Sequence, residues 1–124
     1  MARVTQRVDP ERLGDLLERP LRAAIATVRR GEPDPAPVAY RRSEGRCFVG
    51  VERALLPPEG EGAQVVLLLD DGRYWFELRA VTIRGRLEAA AQPRGGDPQL
   101  VWLEVVPDRA VAWDYGSLHE EADA

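Results

Sequence analysis

Apolar positions in this chain alternate with small or polar ones at a period of two over most of its length, and recur at helical spacing in one short stretch near the start. There Leu13, Leu16 and Leu17 share one face, as a helix of 3.6 residues per turn requires. Asp9 stands as N-cap, Pro10 takes the first helical position, and Val8 is placed to staple onto Leu13. Pro20 ends the helix, since the residue before a proline is pushed out of the helical region.

The strands follow. From Leu21 to Val28, Leu21, Ala23, Ile25 and Thr27 fall on one face and Ala24, Ala26 and Val28 on the other, all small or apolar, which suits a barrel strand. After a turn at Arg30-Gly31-Glu32-Pro33, the run from Ala36 to Arg41 reads as the returning strand, with Pro37 near its start. Arg46 to Glu52 forms a third strand in which Gly50 marks a bulge or a close backbone approach. Pro57 to Gly62 is a loop. Ala63 to Leu69 is a β-branched and leucine run closed by Asp70-Asp71-Gly72, a hairpin signal. A long strand or bent pair runs from Tyr74 to about Ala89 with its bend at Gly85. After the loop from Gln92 to Pro98, Leu100 to Val106 and Ala110 to Trp113 make the last strand or strands, interrupted at Pro107. The expectation is a mainly β, antiparallel barrel of six or seven strands with a short N-terminal helix.

A chain of 124 residues, 44% hydrophobic, has room for one core. It is therefore expected to be one domain over residues 1–124, its core in about 9–115 and an acidic tail at 116–124. It has no run long and apolar enough to cross a bilayer and no signal-like start, which leads us to expect a cytoplasmic protein without a membrane partner. All 17 basic residues are arginine, so no lysine Schiff base can form. A net charge of −4 with scattered arginines argues against nucleic-acid binding. Cys47 is the one cysteine and lies in an apolar run, as a structural thiol would. His119 is the one histidine and reads as a surface residue of the tail. No metal-spaced cluster, phosphate loop or nucleophile elbow occurs, so no metal and no catalytic side chain is assigned.

The segment Arg22-Ala23-Ala24-Ile25-Ala26-Thr27-Val28, then Pro37-Val38-Ala39-Tyr40, then Cys47-Phe48-Val49-Gly50-Val51 resembles the pyridoxamine 5′-phosphate oxidase-like family of FMN-binding split barrels. Val81 to Glu88 matches that family's V-x-I-x-G-R-x-E strand, and Val105 to Tyr115 looks like its closing strand, with a proline, a following arginine and a terminal Trp-Asp. The resemblance implies a homodimer with two equivalent sites between subunits, binding FMN or, in some branches, a deazaflavin. The flavin carries the redox chemistry, and the protein supplies a phosphate clamp, a platform for the ring and a shaped cavity.

By the same resemblance, Arg41 and Arg42 near the end of the second strand and Arg53 just after the third are the phosphate-clamp candidates. Thr27 and Gly50 are candidates for lining the ring or ribityl chain, Tyr40 and Val51 complete the cofactor-binding set, and Trp113 is the candidate at the flavin edge. Each has a plainer reading: solvated arginines, a strand threonine, a bulge glycine, a packing tryptophan. Trp75, between Tyr74 and Phe76, reads as core or dimer packing. The chain departs from the family where Glu52 adjoins the supposed clamp and where only about ten residues, Ala89 to Gln99, bridge the last two strands. Three readings follow: an FMN- or deazaflavin-dependent oxidoreductase acting on a small molecule, a non-catalytic split-barrel binding protein that has lost the cofactor, and an unrelated small antiparallel barrel.

Overall fold

The computed structural model describes residues 7–74 and 77–115, the Arg29 side chain excepted. A two-residue strand β1 (Arg7–Val8) leads into a 3-10 turn (Pro10–Leu13) and the helix α1 (Gly14–Glu18). The strands β2 (Arg22–Arg29), β3 (Glu32–Pro37), β4 (Ala39–Ser43) and β5 (Arg46–Val51) come next, then a second 3-10 turn (Arg53–Leu55), β6 (Gln64–Asp71), β7 (Arg79–Ala89) and β8 (Val101–Asp114). As expected, Asp9 caps the first turn, its carboxylate accepting from the Glu11 N–H at 3.0 Å. The helix is shorter than the leucine spacing predicts, because its first four residues wind as a 3-10 turn.

The sheet is antiparallel throughout, in the order β3-β2-β6-β7-β8-β5-β4, with β1 added on β8. Its two outer strands, β3 and β4, are consecutive in sequence and joined through Val38 alone, whose N–H donates to Ala23 O at 3.1 Å. A chain can leave one edge of a sheet and enter the other within one residue only if the sheet curls until its edges meet. The result is a split barrel, as the sequence predicts.

Three expectations need correction. The returning strand begins at Glu32 and is two strands, not one. β3 carries Pro33, Pro35 and Pro37, which oppose Val28, Ala26 and Ala24. In an antiparallel hairpin closed by a two-residue turn these are the pairs without ladder bonds, so each proline places its missing N–H at the free edge. Second, Asp70-Asp71-Gly72 is no tight hairpin. β6 runs through Asp71, which pairs with Arg79, so no two-residue turn joins the strands and Tyr74 lies outside β7. Trp75 and Phe76 lie outside the described residues, as do His119 and the acidic tail. Third, β8 does not stop at Pro107. It continues past a bulge at which Arg84 pairs with Arg109 and Gly85 with Pro107, leaving Asp108 as the extra residue. Gly85 is the expected bend: a Cβ there would sit 2.2 Å from Val106 O, so only glycine lets the bulged strand approach.

Inward residues of every long strand form one core, among them Ile25, Val49, Leu67, Leu69, Val81, Leu87 and Val105, with Leu13 and Leu16 closing one end. Full burial of each such side chain is worth about 1.5–3 kcal/mol. Arg79 ties the helix to this frame, donating to both carboxylate oxygens of Asp15 at 3.1 and 2.9 Å and to Asp71 at 3.2 and 2.6 Å.

Candidate functional site

The two halves of the outer surface of the sheet are finished differently. Outside β4 and β5, segment 90–100 folds back over the strands. Arg41 donates to the carbonyl oxygens of Arg94 and Gly95, both at 3.0 Å, and the Trp102 indole N–H donates to Asp97 O at 3.2 Å. Beneath lies a cleft of about 620 Å³ lined by Arg41, Arg42, Ser43, Arg46, Phe48 and residues 89–94. It is rich in arginine, yet its main guanidiniums already have acceptors. Arg46 grips Glu104 through two bonds of 2.9 and 2.5 Å and lies 5.4 Å over the Phe48 ring. Its hydrogen bonds hold the Glu104 carboxyl below its ordinary pKa. Arg42 pairs with Glu18 at 3.4 Å and donates to Cys47 Sγ at 3.1 Å.

Outside β2, β6, β7 and β8 the surface is open. Ladder registers set up three rows across it: Arg22, Asp70, Ala80 and Trp113; Ala24, Leu68, Thr82 and Val111; Ala26, Val66, Arg84 and Arg109. Arg22 and Asp70 form an ion pair at one corner. Between that corner and the two arginines the platform is small or apolar; Leu68 within it and Val28 beside it are 36% and 62% exposed. A groove of about 370 Å³ runs along its β2–β6 side, lined by Ala26, Thr27, Val28, Pro33, Gln64, Val65, Val66 and Arg84. That size falls within the range of small-molecule sites. Thr27 is 6% exposed, and its hydroxyl has no hydrogen-bond partner among the described residues.

Arg84 and Arg109 stand directly opposite one another, neither in an ion pair among the described residues. The bulge puts them there. In an unshifted register Arg84 would face Asp108; instead Asp108 lies 3.6 Å from the Arg86 guanidinium.

The cofactor set read from the sequence is therefore scattered. Tyr40 is half-buried inside the barrel, its phenol donating to Leu17 O at 2.6 Å and lying 3.4 Å from Cys47 Sγ, so that it pins the helix to β4. Burial raises its pKa well above the usual phenol value. Val51 is fully buried in the core. Gly50 is no bulge: its register is regular, and a Cβ there would come within 2.8 Å of the Trp102 ring, which lies on the glycine. Arg53 is exposed in the 3-10 turn after β5, while Leu55 and Leu56 pack against the core. Arg41 pairs with Phe48, and Val51 is three residues further, roughly 10 Å along the strand before the chain turns toward Arg53. Arg41 and Arg53 thus do not converge. Trp113 alone of the set lies on the open face; Thr27 falls on the core side of β2 with Ile25 and lines the groove at the edge of that face. Arg109, Val111 and Trp113 alternate along β8 and share that face, about 13 Å from end to end.

No family model matches the chain, and no curated protein matches it. Solved structures do. A conserved hypothetical protein, Rv2991, from Mycobacterium tuberculosis is 18% identical with a TM-score of 0.70, covering 96% of this chain and 92% of its own. A FAD-binding protein from Mycobacterium smegmatis is 15% identical with a TM-score of 0.65, over 88% of this chain and 96% of its own. The chain shares their fold. A protein from Corynebacterium glutamicum named as a pyridoxamine 5′-phosphate oxidase has the same split-barrel fold at 12% identity and a TM-score of 0.65, over 91% and 94% of the two chains. The third reading, an unrelated small barrel, is thereby set aside. The split barrel also contains, among its described residues, no helix long and apolar enough to cross a membrane.

Proposed function

We propose that this chain is a homodimeric flavin-nucleotide-binding protein, taking FMN or a deazaflavin, which performs or supports redox chemistry on a small molecule. The observation that carries the reading is the open outer face of β2, β6, β7 and β8, floored by Ala24, Ala26, Val66, Thr82 and Val111 and flanked by Trp113. A small and apolar floor suits a flavin ring, and Thr27, which lines the adjoining groove and whose hydroxyl has no hydrogen-bond partner among the described residues, suits a polar edge or ribityl chain. When bound, the flavin would supply the electron or hydride transfer. The chain's own residues would position it and exclude water: Trp113 beside the ring, Thr27 as a hydrogen-bond donor or acceptor. A second copy would cover the exposed apolar positions, since apolar faces of this kind mark interfaces and most soluble oligomers are two-fold symmetric.

A second reading, a cofactor-free split-barrel binding protein, is favoured by the fate of the expected clamp. Arg41 is engaged by loop carbonyls, Glu52 adjoins Arg53, and Leu55 and Leu56 close the end of β5. Visible absorbance of the purified chain, before and after incubation with FMN or a deazaflavin, separates the two. The flavin reading expects a coloured protein or stoichiometric uptake, in a particle of dimer mass by sedimentation. A colourless protein that takes up neither cofactor leaves the second reading standing.

A further inference from the structure

The fold does not account for Arg84 and Arg109. Like charges directly opposite on one face of a sheet are destabilising, and here a bulge creates the opposition by moving Asp108 aside, where it turns to Arg86. Arg41, Arg46 and Arg79 each find carbonyl or carboxylate acceptors. Arg84 and Arg109 are exposed and have no ion-pair partner among the described residues. Their strands are about 4.8 Å apart, so both planar forks can reach one oxyanion, and a tetrahedral phosphate with several acceptor oxygens matches two such forks.

We infer that Arg84 and Arg109 form the seat for the phosphate of the flavin nucleotide, at one end of the platform whose other end is Trp113. The inference rests on the flavin-binding reading above. The spacing along β8 agrees with it: the roughly 13 Å from Arg109 to Trp113 leaves room for a tricyclic ring and an extended ribityl chain between a stacking residue and an anion seat. Arg84 also lines the groove that Thr27 lines, so the seat adjoins that groove. This places the clamp on β7 and β8 instead of at Arg41 and Arg53.

The test is a titration of the full chain with FMN and, separately, riboflavin, read by flavin fluorescence, for wild type, Arg84→Gln, Arg109→Gln and the double variant. Loss of one charge-assisted contact is expected to weaken FMN by about tenfold or more per arginine, with riboflavin affinity unchanged. Inorganic phosphate should compete with FMN in wild type but not in the double variant. Wild-type FMN affinity in the double variant would overturn the seat, as would equal losses for FMN and riboflavin in a variant that melts like wild type. A change in sedimentation alone, with FMN affinity intact, would also overturn it and make the pair a subunit contact. If wild type takes up neither flavin, the flavin reading fails by itself. The seat is then decided by phosphate in a thermal melt: stabilisation of wild type only upholds an anion seat, and equal responses reject it.

Discussion

Two sets of arginines on the same sheet behave in opposite ways. Arg41, Arg46 and Arg79 are held by loop carbonyls, Glu104, and Asp15 with Asp71. Arg84 and Arg109 face each other across a bulge. A guanidinium with acceptors of its own chain joins elements together and has little left for a ligand. A pair forced side by side without acceptors lowers stability and keeps its donors available. The larger, arginine-rich cleft is therefore the weaker candidate for an anion, and the smaller open groove the stronger.

Substitutions sharpen that contrast. Arg79→Ala should have the largest effect on folding, about 2 kcal/mol by chemical denaturation, because it removes charge-assisted bonds to two carboxylates and cuts the helix loose from β6 and β7. Arg41→Ala should cost about 1 kcal/mol and speed amide exchange at Gly96, whose N–H donates to Pro93 O at 2.9 Å in the segment Arg41 holds, with FMN affinity as in wild type. A fall in FMN affinity as steep as that expected for Arg84→Gln would erase the distinction between the two sets. Arg84→Gln should go the other way, raising stability by about 0.2–1 kcal/mol as the like-charge opposition is relieved. A destabilised Arg84→Gln chain would mean that the arginine has a structural acceptor after all.

The smallest effect is in acid. The Arg79 hydrogen bonds lower the Asp15 pKa below its ordinary 3.8. A carboxylate whose folded pKa is depressed contributes stability above its unfolded pKa and loses it as pH falls through the folded one. The Asp15 contribution should thus be whole near neutrality and fade only below about pH 4. Because Asp15 is exposed, the change will be slight in melting and best read by following its carboxyl in NMR. In Arg79→Ala its midpoint should return toward 3.8, and an unmoved midpoint would show that the pairing does not persist in solution.

The alternation of small and apolar residues through β2, the apolar run of β6, the Asp9-Pro10 start and the bend at Gly85 were all legible in the sequence, because each depends on neighbours two to four residues away. Pro33, Pro35 and Pro37 carry a further local signal, period-two prolines that only an edge strand tolerates. The candidate site was much less legible. Arg84 and Arg109 are far apart in the chain, and their meeting depends on a one-residue register shift that pattern reading cannot count. Of the two readings of Gly50, bulge or close approach, the second holds, and the group that approaches is Trp102, a partner set by the β5–β8 register. Arg41 and Arg53 follow only from position in a family pattern, and the strand length between them and the acceptors of segment 90–100 separate their roles.

A crystal structure of the chain grown with FMN tests the central claim most directly. The account predicts the flavin on the outer face of β2, β6, β7 and β8, its phosphate within hydrogen-bond distance of both the Arg84 and Arg109 guanidiniums and its ring toward Trp113. A phosphate bound beside Arg53, or in the cleft between Arg41 and Arg46, would contradict it.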